Sequence, residues 1–391
     1  MKHNVKPKVL FLSHSGVLGG AELFLLDLLH REPGIRERGT VGLLADGPFH
    51  ERLEAEGIPV RVFATSAAVL GVRKGDTLRS GKIMRDVYAL SRRVGRFARD
   101  FDLLYANSQK AFIVAALAGL WERRPVLWHL HDILDRDHFS ETNLRVAVTV
   151  ANWLASRVVA NSRSTAEAFI AQGGRAHKVR TLYYGIAPAP FLAVTDAEVE
   201  VLRAEMGLGD APTVGLFSRL SPWKGQHVLI EALPTLPGVH ALLVGDALFG
   251  EEQYAEGLRA QAASLGVADR THFLGFRTDL PRLMRLVNVV LHTSTAAEPF
   301  GRVIVEGMLA GRPVVASRAG GALEIIQDGV TGLLIQPGDP RALAAAVSSL
   351  IEHPDRADAL GAAGRAYALA HFSLELMHDD VVRQIEEAAR L

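Results

Sequence analysis

The chain contains no cysteine in its 391 residues. This absence excludes disulfide bonds, catalysis by a thiolate and zinc sites that use cysteine, and it fits a reducing cytoplasm. Long hydrophobic runs are missing as well. The longest, Ala111–Trp121, falls well below the ~20 residues of a membrane-spanning helix and predicts a buried helix instead. The polar start of the chain, Met1–Lys8, with only a short apolar stretch after it, predicts no signal peptide. We therefore expect a cytoplasmic protein.

A net charge is also missing, because 43 Lys and Arg residues balance 43 Asp and Glu residues. The balance fails locally in segment 73–99, which carries nine basic residues against Asp76 and Asp86. Such asymmetry indicates an anionic partner. The segment has helical apolar spacing, so two interpretations stay open: an amphipathic helix at the anionic inner face of the membrane, or a core-packed helix with a solvated basic face. We expect no nucleic-acid partner.

What the sequence does contain is an alternation of strand and helix signals. With 49% hydrophobic residues, a chain of this length can bury two cores. The strand segments are apolar throughout, which is typical of a parallel sheet covered by helices on both faces. The predicted strands are Lys8–Ser13, Val41–Ala45, Val60–Ala64, Leu103–Ala106, Val126–Leu130, Val158–Ala160, Val214–Phe217, Ala241–Val244, Val289–His292 and Pro313–Ala316; the predicted helices include Ala21–His30 and Ala111–Trp121.

Two prolines, Pro188 and Pro190, predict a linker at Ala187–Val194. We therefore expect a first α/β domain at 1–189 and a second at 190–373. A final helix, 374–391, has a packing face at Leu376, Val381 and Ile385, although the spacing alone does not name the surface that it covers.

Two carboxylates stand eight positions apart around a Phe-Gly turn. Glu298 precedes the turn, and Glu306 falls about two helical turns later. The start of the intervening helix offers backbone N–H groups and a positive dipole end to a diphosphate. Carboxylates are pure acceptors and suit pairs of hydroxyl groups, so the pattern predicts a sugar-nucleotide site. The residues that open the helix are Phe300, Gly301, Arg302 and Val303.

Two cations supply the opposite charge. Arg219 and Lys224 follow the predicted strand Val214–Phe217, at the carboxyl edge where parallel sheets bind ligands. The guanidinium can hold phosphate oxygens with a planar fork and the ammonium adds a point charge, so the pair can stabilise a diphosphate leaving group. Taken alone, either cation fits a solvated loop.

These residues resemble those of retaining glycosyltransferases of family 4, which have the GT-B architecture of two Rossmann-like parallel-sheet domains facing across a cleft. The resemblance covers nearly the whole chain. Its specific parts are Arg219 with Lys224, and Glu298 with Glu306 in the context Glu-Pro-Phe-Gly. The resemblance implies that the two cations bind the diphosphate, that Glu298 binds the donor sugar and that Glu306 binds the ribose.

Supporting features lie in the first half of the chain. The resemblance implies that Gly19 and Gly20, in a glycine-rich loop after the first strand, approach the phosphates, and that His131 orients the transferred sugar. It also implies that backbone near Phe276 contacts the base. From the residues alone, the glycine loop fits an ordinary tight turn equally well, and His131 fits a core histidine satisfied by a backbone carbonyl.

Two features depart from the family pattern or compete with it. Tyr184 stands where the family commonly has the Asn of an Asn-Gly pair, and we expect it to contribute ring stacking or a hydroxyl. The run Asp135-Arg136-Asp137, close to His138, resembles the metal-holding Asp-x-Asp of another glycosyltransferase architecture. We interpret it as a solvated loop on the acceptor side, because Arg219 and Lys224 already offset the diphosphate charge.

The predicted function is transfer of a sugar, with retention of anomeric configuration, from a nucleoside diphosphate sugar such as a UDP-sugar to an acceptor hydroxyl. The acceptor would be a sugar or a lipid-linked sugar in polysaccharide, glycolipid or other glycoconjugate biosynthesis. We expect no cofactor and no metal ion. Two alternatives remain: a sugar-nucleotide epimerase of the same architecture, and a non-catalytic sugar-nucleotide-binding protein.

Overall fold

A computed structural model of the protein describes residues 6–31, 33–65, 81–136, 139–248 and 250–391. The chain divides into two compact units. The first comprises 1–185 together with 374–391, and the second comprises 186–373. Each unit is built on one sheet whose strands are all parallel.

The first unit has a seven-stranded sheet in the order β3-β2-β1-β4-β5-β6-β7. The order reverses direction between β1 and β4, which marks the carboxyl edge of these two strands as a place for ligands. The strands are β1 (Val9–Ser13), β2 (Gly39–Leu43), β3 (Val60–Val62), β4 (Leu103–Ala106), β5 (Val126–Leu130), β6 (Arg157–Ala160) and β7 (Val179–Thr181). The helices are α1 (Gly20–Arg31), α2 (Pro33–Arg36), α3 (Pro48–Ala55), α4 (Gly81–Ala98), α5 (Gln109–Glu122), α6 (Glu141–Leu154) and α7 (Arg163–Ala171), with a 3-10 turn at Ala176–Lys178.

The second unit has a six-stranded sheet in the order β10-β9-β8-β11-β12-β13, with the corresponding reversal between β8 and β11. The strands are β8 (Thr213–Phe217), β9 (His240–Val244), β10 (Thr271–Gly275), β11 (Val289–His292), β12 (Val314–Ser317) and β13 (Leu333–Ile335). The helices are α8 (Ala189–Leu192), α9 (Asp196–Glu205), α10 (Gln226–Ala232), α11 (Glu252–Ser264), α12 (Leu280–Leu286), α13 (Arg302–Leu309), α14 (Ala322–Ile325), α15 (Pro340–Glu352) and α16 (Pro354–His371), with 3-10 turns at Pro222–Lys224, Leu233–Thr235 and Ala268–Arg270.

The ten strands predicted from apolar runs are all present, with ends displaced by at most two residues. The sequence missed β7, β10 and β13, which are edge strands. β7 and β10 mix polar with apolar residues, and β13 is an apolar run of only three residues with two half-buried positions. The longer apolar runs that identified most of the other strands are therefore absent from these three.

The segment Ala187–Val194 differs from the predicted linker. It contains the short helix α8, and Phe191 within it is buried in the second unit. Pro188 is the N-cap and Pro190 lies in the first turn, where proline is compatible with a helix because the missing N–H has no intrahelical partner. The two prolines thus begin a helix, and the boundary between the units falls at Gly185–Ile186.

The last helix, α17 (Leu374–Ala389), belongs to the first unit. It buries Met377, Val381 and Ile385, and it contacts α1 and the strands β4, β5 and β6. Leu376, which the spacing placed on the packing face, is 49% exposed. An ion pair of 3.1 Å joins Arg157 of β6 to Glu387 near the end of α17.

The basic helix α4 is packed into the first unit. Val87, Leu90 and Val94 form its buried face, which lies against α5. The face that the sequence offered as a membrane surface is therefore inside the protein core. Arg99 pairs with Glu122 of α5 at 2.8 Å, whereas residues 73–80 of the basic segment lie outside the described residues. Within the described ranges, no helix is both long enough and apolar enough to cross a bilayer.

Candidate active site

The carboxyl edge of the second sheet carries the predicted phosphate cations. Arg219 lies two residues after β8, and Lys224 ends the 3-10 turn that follows. The indole of Trp223 lies between them, 3.9 Å from the Lys224 ammonium and 5.8 Å from the Arg219 guanidinium carbon, measured to the ring centroid. Such cation–π contacts keep both positive charges beside the same indole ring.

Hydrogen bonds fasten this loop to the segment after β11. The single hydroxyl hydrogen of Thr293 is shared between the carbonyls of Lys224 and Gly225, each 3.0 Å from the hydroxyl oxygen. The Thr295 N–H donates to the carbonyl of Trp223 at 2.8 Å. Gly225 has a φ of +74°, and a Cβ there would lie 2.0 Å from the Thr293 carbonyl oxygen. Only glycine therefore allows the two segments to approach so closely.

This approach brings Lys224 to Glu298. The Lys224 ammonium donates to Glu298 Oε2 at 2.5 Å, and both side chains are largely buried, at 16% and 14% exposed. The same oxygen accepts from the Ser294 hydroxyl at 3.2 Å and lies 3.3 Å from His292 Nε2. Three side chains, those of Lys224, Ser294 and His292, thus converge on one carboxylate oxygen at the sheet edge. A carboxylate has about four acceptor positions in all, so hydroxyl groups of a ligand can be added on the other oxygen.

The charge of Glu298 is fixed by this cluster. Burial favours the neutral acid, but the Lys224 charge and the hydrogen bond with His292 outweigh it and hold the pKa of Glu298 well below its usual range. Glu298 is therefore an anion at every physiological pH.

The backbone of Glu298 is held by a second close approach. The Gly321 N–H donates to the Glu298 carbonyl at 2.8 Å. At Gly320, which has a φ of +59°, a Cβ would lie 2.2 Å from the Glu298 carbonyl oxygen. The turn after β12 thus fixes the backbone position of Glu298.

The second predicted carboxylate lies on α13. Gly301 is the N-cap of this helix and has a left-handed backbone conformation, with a φ of +101°. Arg302 and Val303 are the first two residues of the helix, and both are half-buried. Glu306 is one turn further on, 3.6 Å from the Arg302 guanidinium, and 17% exposed. Phe300 is different: its ring is buried, 5.8 Å from the ring of Phe372. A donor can therefore meet only the backbone of Phe300.

Phe276 follows β10 at the same edge of the sheet. Its side chain is 72% exposed, and its N–H donates to Asp246 after β9 at 3.1 Å. An exposed aromatic ring at the carboxyl edge is compatible with the predicted base-binding segment, in which the ring as well as the backbone is available.

A buried glutamine supports the loop that carries Arg219. Gln226 has no exposed surface, and its side-chain amide donates to the Ser218 hydroxyl and the Arg219 carbonyl, both at 2.9 Å. Its carbonyl oxygen accepts from the Ser221 N–H at 3.4 Å and the Tyr254 hydroxyl at 3.3 Å. Gln226 therefore ties together both ends of the turn.

An acid also contacts this loop. Glu251 accepts from the Ser221 hydroxyl at 2.7 Å and lies 3.7 Å from the Arg219 guanidinium. Both side chains remain about a third exposed (33% and 27%), so this ion pair holds Arg219 only weakly.

The first unit places His131 at the carboxyl edge of β5. Its Nδ1 contacts the Tyr184 hydroxyl, and its Nε2 lies 2.8 Å from Asn107 Oδ1. Asn107 directly follows β4, and Asn161, which follows β6, donates to the Tyr184 hydroxyl at 3.2 Å. Burial lowers the pKa of His131 to about 3, so the ring is neutral. Both ring nitrogens contact side chains, where the core-histidine alternative had expected a backbone carbonyl, and the role of His131 in binding the sugar stays a prediction.

The glycine-rich loop precedes α1 in the same unit. Gly20 is the first residue of the helix, and the Gly19 N–H bonds to the carboxyl group of Glu22. Glu22 is 5% exposed and accepts from the Ser13 hydroxyl at the end of β1 at 2.9 Å. Burial raises the pKa of Glu22 to about 7 in spite of these hydrogen bonds. The carboxyl group of Glu22 therefore joins the glycine-rich loop to the end of β1. Its position near the helix start would by itself indicate only a favourable interaction with the helix dipole.

The acidic run at 135–137 is only partly described. Arg136 lies 3.6 Å from Glu141, while Asp137 and His138 lie outside the described residues. Where the chain is described, no three His, Asp or Glu side chains group as ligands for a metal ion. The absence of a metal requirement stays a prediction.

Sequence reasoning found the charged residues and missed most of their neutral neighbours: Asn107, Asn161, Gln226, His292 and Ser294. Asn107, Asn161 and His292 stand at or just after the ends of predicted strands, so the rule that ligands gather at the carboxyl edge could have found them. Gln226 gives no such signal, because its role depends on a turn geometry that only the structure shows.

Comparison with known proteins agrees with this architecture. Residues 19–185 match the family described as Glycosyl transferase 4-like domain, and residues 199–367 match Glycosyl transferases group 1. The solved structure of HepE from Anabaena, in complex with UDP and glucose, is 44% identical with a TM-score of 0.89. The match covers 97% of this chain and 99% of that one.

Two curated relatives match over shorter segments. LpsE of Rhizobium meliloti, a lipopolysaccharide core biosynthesis glycosyltransferase, is 35% identical over 47% of this chain and 53% of its own length. A GDP-mannose-dependent phosphatidylinositol monomannoside mannosyltransferase of Mycolicibacterium smegmatis is 37% identical over 53% of this chain and 56% of its own. The chain thus spans about half the length of these curated relatives, and nearly all of HepE. The chain belongs to glycosyltransferase family 4, with the GT-B fold of two Rossmann-like units.

Proposed function

We propose that the protein transfers a glycosyl group from a nucleoside diphosphate sugar to an acceptor hydroxyl in glycoconjugate biosynthesis. The observation that carries this proposal is the convergence of Lys224, Glu298, His292 and Ser294 at the sheet edge next to Arg219. Cations beside a carboxylate match a ligand that has phosphates at one end and sugar hydroxyls at the other.

The donor proposed first is UDP-glucose. HepE, of which this chain covers 99%, has been solved in complexes with UDP and glucose and with UDP-glucose. The mannosyltransferase relatives named for GDP-mannose match over about half of their length. Glu306 would bind the ribose of either nucleotide, so it does not choose between the two bases.

Retention of anomeric configuration is part of the proposal. Glu298 is held by Lys224 and His292, and its pKa lies well below the usual range, so it is a weak nucleophile with one oxygen already committed. A double displacement of the glycosidase type needs a nucleophile and a second acid. A front-face reaction is preferred, in which the departing phosphate oxygen takes the acceptor proton and Arg219 and Lys224 stabilise its charge.

The same two cations lead us to propose that transfer needs no metal ion. In many phosphoryl sites Mg²⁺ neutralises the charge of the leaving group, whereas in this proposal Arg219 and Lys224 would do so. Activity after dialysis against EDTA should equal that before it. Loss of activity with EDTA, restored by Mg²⁺, would overturn this part.

We also propose a sugar acceptor, either free or lipid-linked. The basic helix α4 turns its apolar face into the core, so any contact with an anionic membrane would be made by exposed side chains such as Arg85, Met84 and Tyr88. Cosedimentation with phosphatidylglycerol vesicles in low and high salt tests this point, because electrostatic binding weakens as salt is added. If the same fraction of protein sediments with neutral phosphatidylcholine vesicles as with phosphatidylglycerol vesicles, the basic helix does not bind an anionic membrane, and the free acceptor is preferred.

The deciding experiment has two stages. First, UDP, GDP and ADP and their common sugar conjugates are compared by thermal shift, because a ligand that binds the folded state raises the Tm. The stabilising donor is then incubated with and without sugar acceptors, and products are identified by NMR and mass spectrometry. A new α-linked glycoside from an α-linked donor establishes retaining transfer. An epimerised sugar nucleotide formed without acceptor identifies an isomerase, and binding without any product identifies a non-catalytic protein.

A further inference from the structure

The structure assigns a positioning role to Tyr184: we propose that its hydroxyl locks the ring of His131 in one orientation and one protonation state for the reaction. Tyr184 lies in the loop after β7 and meets His131, the residue that follows β5. The activity part of the inference rests on the proposed function, whereas the contact itself does not.

The hydrogen bonds around His131 have a defined direction. The Asn107 amide donates to the carbonyl of Ala21 at 2.9 Å, which leaves Asn107 Oδ1 as an acceptor toward His131 Nε2. His131 must therefore carry its proton on Nε2. Its Nδ1 is then a lone pair that accepts from the Tyr184 hydroxyl, while that hydroxyl oxygen accepts from Asn161 at 3.2 Å.

The far end of this chain of hydrogen bonds is equally fixed. Asn161 is 2% exposed, its amide also donates to the His131 carbonyl at 3.1 Å, and its own oxygen accepts from the Thr165 hydroxyl at 2.9 Å. The amide of Asn161 thus has only one orientation that satisfies its partners. Because both ends are anchored, each proton between Asn161 and Ala21 has an assigned place.

Packing holds the Tyr184 ring in the position that these hydrogen bonds require. Tyr184 is 4% exposed, and its ring lies 5.1 Å from that of Phe24 and 5.8 Å from that of His131. Phe24 stands on α1, the helix that begins with the glycine-rich loop. A buried hydroxyl placed by packing cannot leave His131 Nδ1 without leaving two polar groups unpaired.

For the reaction, the contact with Tyr184 determines which ring nitrogen of His131 can meet a sugar hydroxyl. With Nδ1 occupied by Tyr184, the ring has one donor, the Nε2 N–H, which is directed to Asn107 Oδ1. A sugar hydroxyl that shares this N–H with Asn107 does so as an acceptor. Without the tyrosine hydroxyl, the ring can rotate about its side-chain bonds and expose a lone pair instead. Tyr184 would therefore determine both the position and the polarity of this contact.

The chain offers a matched control. Tyr105 is also buried, and its hydroxyl lies 2.6 Å from Nδ1 of His129, two residues before His131. Tyr184→Phe and Tyr105→Phe each remove one hydroxyl from a buried tyrosine–histidine pair of the same unit. A purely structural effect should appear in both variants, whereas the proposed role belongs to Tyr184 alone.

The kinetic test uses the full chain and UDP-glucose, with release of UDP as the readout. Tyr184→Phe should lower kcat roughly tenfold with little change in KM for UDP-glucose, and Tyr105→Phe should leave kcat within about twofold of the wild type. Equal effects in the two variants would overturn the inference. Unchanged kcat in Tyr184→Phe together with a large loss in His131→Asn would also overturn it, because His131 would then act without its partner.

The spectroscopic test does not depend on activity. Histidine labelled with ¹⁵N reports the protonation of each ring nitrogen by two-bond correlation, and the signals of His131 are those that disappear in His131→Asn. The wild type should show a protonated Nε2 and a hydrogen-bonded, unprotonated Nδ1. In Tyr184→Phe the Nδ1 signal should move toward that of a nitrogen without a hydrogen bond, and in Tyr105→Phe it should stay.

The two readouts separate the possible failures. His131 signals that do not respond to Tyr184→Phe, or a proton on Nδ1 in the wild type, would overturn the inference whatever the enzyme does. If the signals respond as expected but His131→Asn retains full turnover, the contact is real and the role of His131 in the proposed function is wrong. In that case Tyr184 holds a ring that the reaction does not use, and the positioning role is rejected.

Discussion

The ammonium of Lys224 lies 2.5 Å from Oε2 of Glu298, and 74 residues of chain separate the two. One follows β8 and the other follows β11, adjacent strands of the second sheet. The pair gives each residue a structural role beside its proposed chemical one. Each charge lowers the free energy of burying the other, so changes at this site will affect stability and turnover together.

Replacing Lys224 by Met should lower both the stability and the turnover of the enzyme. The buried Glu298 would lose its counter-charge, and we expect the free energy of unfolding to fall by about 3 kcal/mol. Turnover should fall by at least about 100-fold, because a charge that stabilises the leaving group is lost. Urea unfolding and UDP release measure the two effects.

The double variant Lys224→Met/Glu298→Gln separates them. It should regain most of the lost stability, because the uncompensated charge is gone, and none of the activity. Near-full turnover in Lys224→Met would show that the ammonium is not part of the reaction.

Glu306→Gln should weaken nucleotide binding. The charged acceptor proposed for the ribose hydroxyls is replaced by a neutral one, and we expect the Kd for UDP to rise about tenfold. Isothermal titration calorimetry measures this directly. Glu352→Gln, an exposed change at the end of α15, is the control. An unchanged Kd in Glu306→Gln would place the ribose elsewhere.

Gln226→Leu should loosen the turn that carries Arg219. The carbonyl of Arg219 and the N–H of Ser221 would lose a buried partner, which costs about 1–3 kcal/mol of stability. We expect KM for UDP-glucose to rise more than kcat falls, since the change affects how the diphosphate is held. Gln253→Leu, an exposed position on α11, should have neither effect. Normal KM with reduced stability would limit Gln226 to a purely structural role.

Glu22→Gln should change how stability depends on pH. The pKa of Glu22 is about 7 in the fold and 4.5 without it, so the folded state binds the proton more tightly. Its contribution to stability is therefore complete below pH 4.5 and is lost as pH rises through 7, by about 3 kcal/mol in total.

The neutral amide removes this dependence. The variant should gain stability relative to the wild type between pH 5 and pH 8, as measured by urea unfolding at each pH. Glu167→Gln, an exposed change on α7, should have the same stability as the wild type at pH 5 and at pH 8. Parallel pH profiles for Glu22→Gln and the wild type would contradict the raised pKa of Glu22.

The sequence by itself determined the two parallel sheets. Segments such as Leu103–Ala106 and Val214–Phe217 are apolar along their whole length, a pattern typical of strands that are buried on both faces. The edge strands β7, β10 and β13 escaped prediction because each is short or mixes polar with apolar residues, and so lacks that pattern. The sequence also identified the charged candidates of the site, because charged residues beside glycine turns and strand ends can be recognised from the residue pattern. They are Arg219, Lys224, Glu298 and Glu306.

Only the tertiary structure decided how those charges are paired and what surrounds them. Nothing in the sequence indicates that Lys224 meets Glu298, that Phe300 is buried or that the apolar face of α4 lies against α5. The hydrogen bond from Tyr184 to His131 joins residues 53 positions apart. Such contacts depend on the register of strands and on the close approach of glycines, which are properties of the packed chain and not of any local pattern.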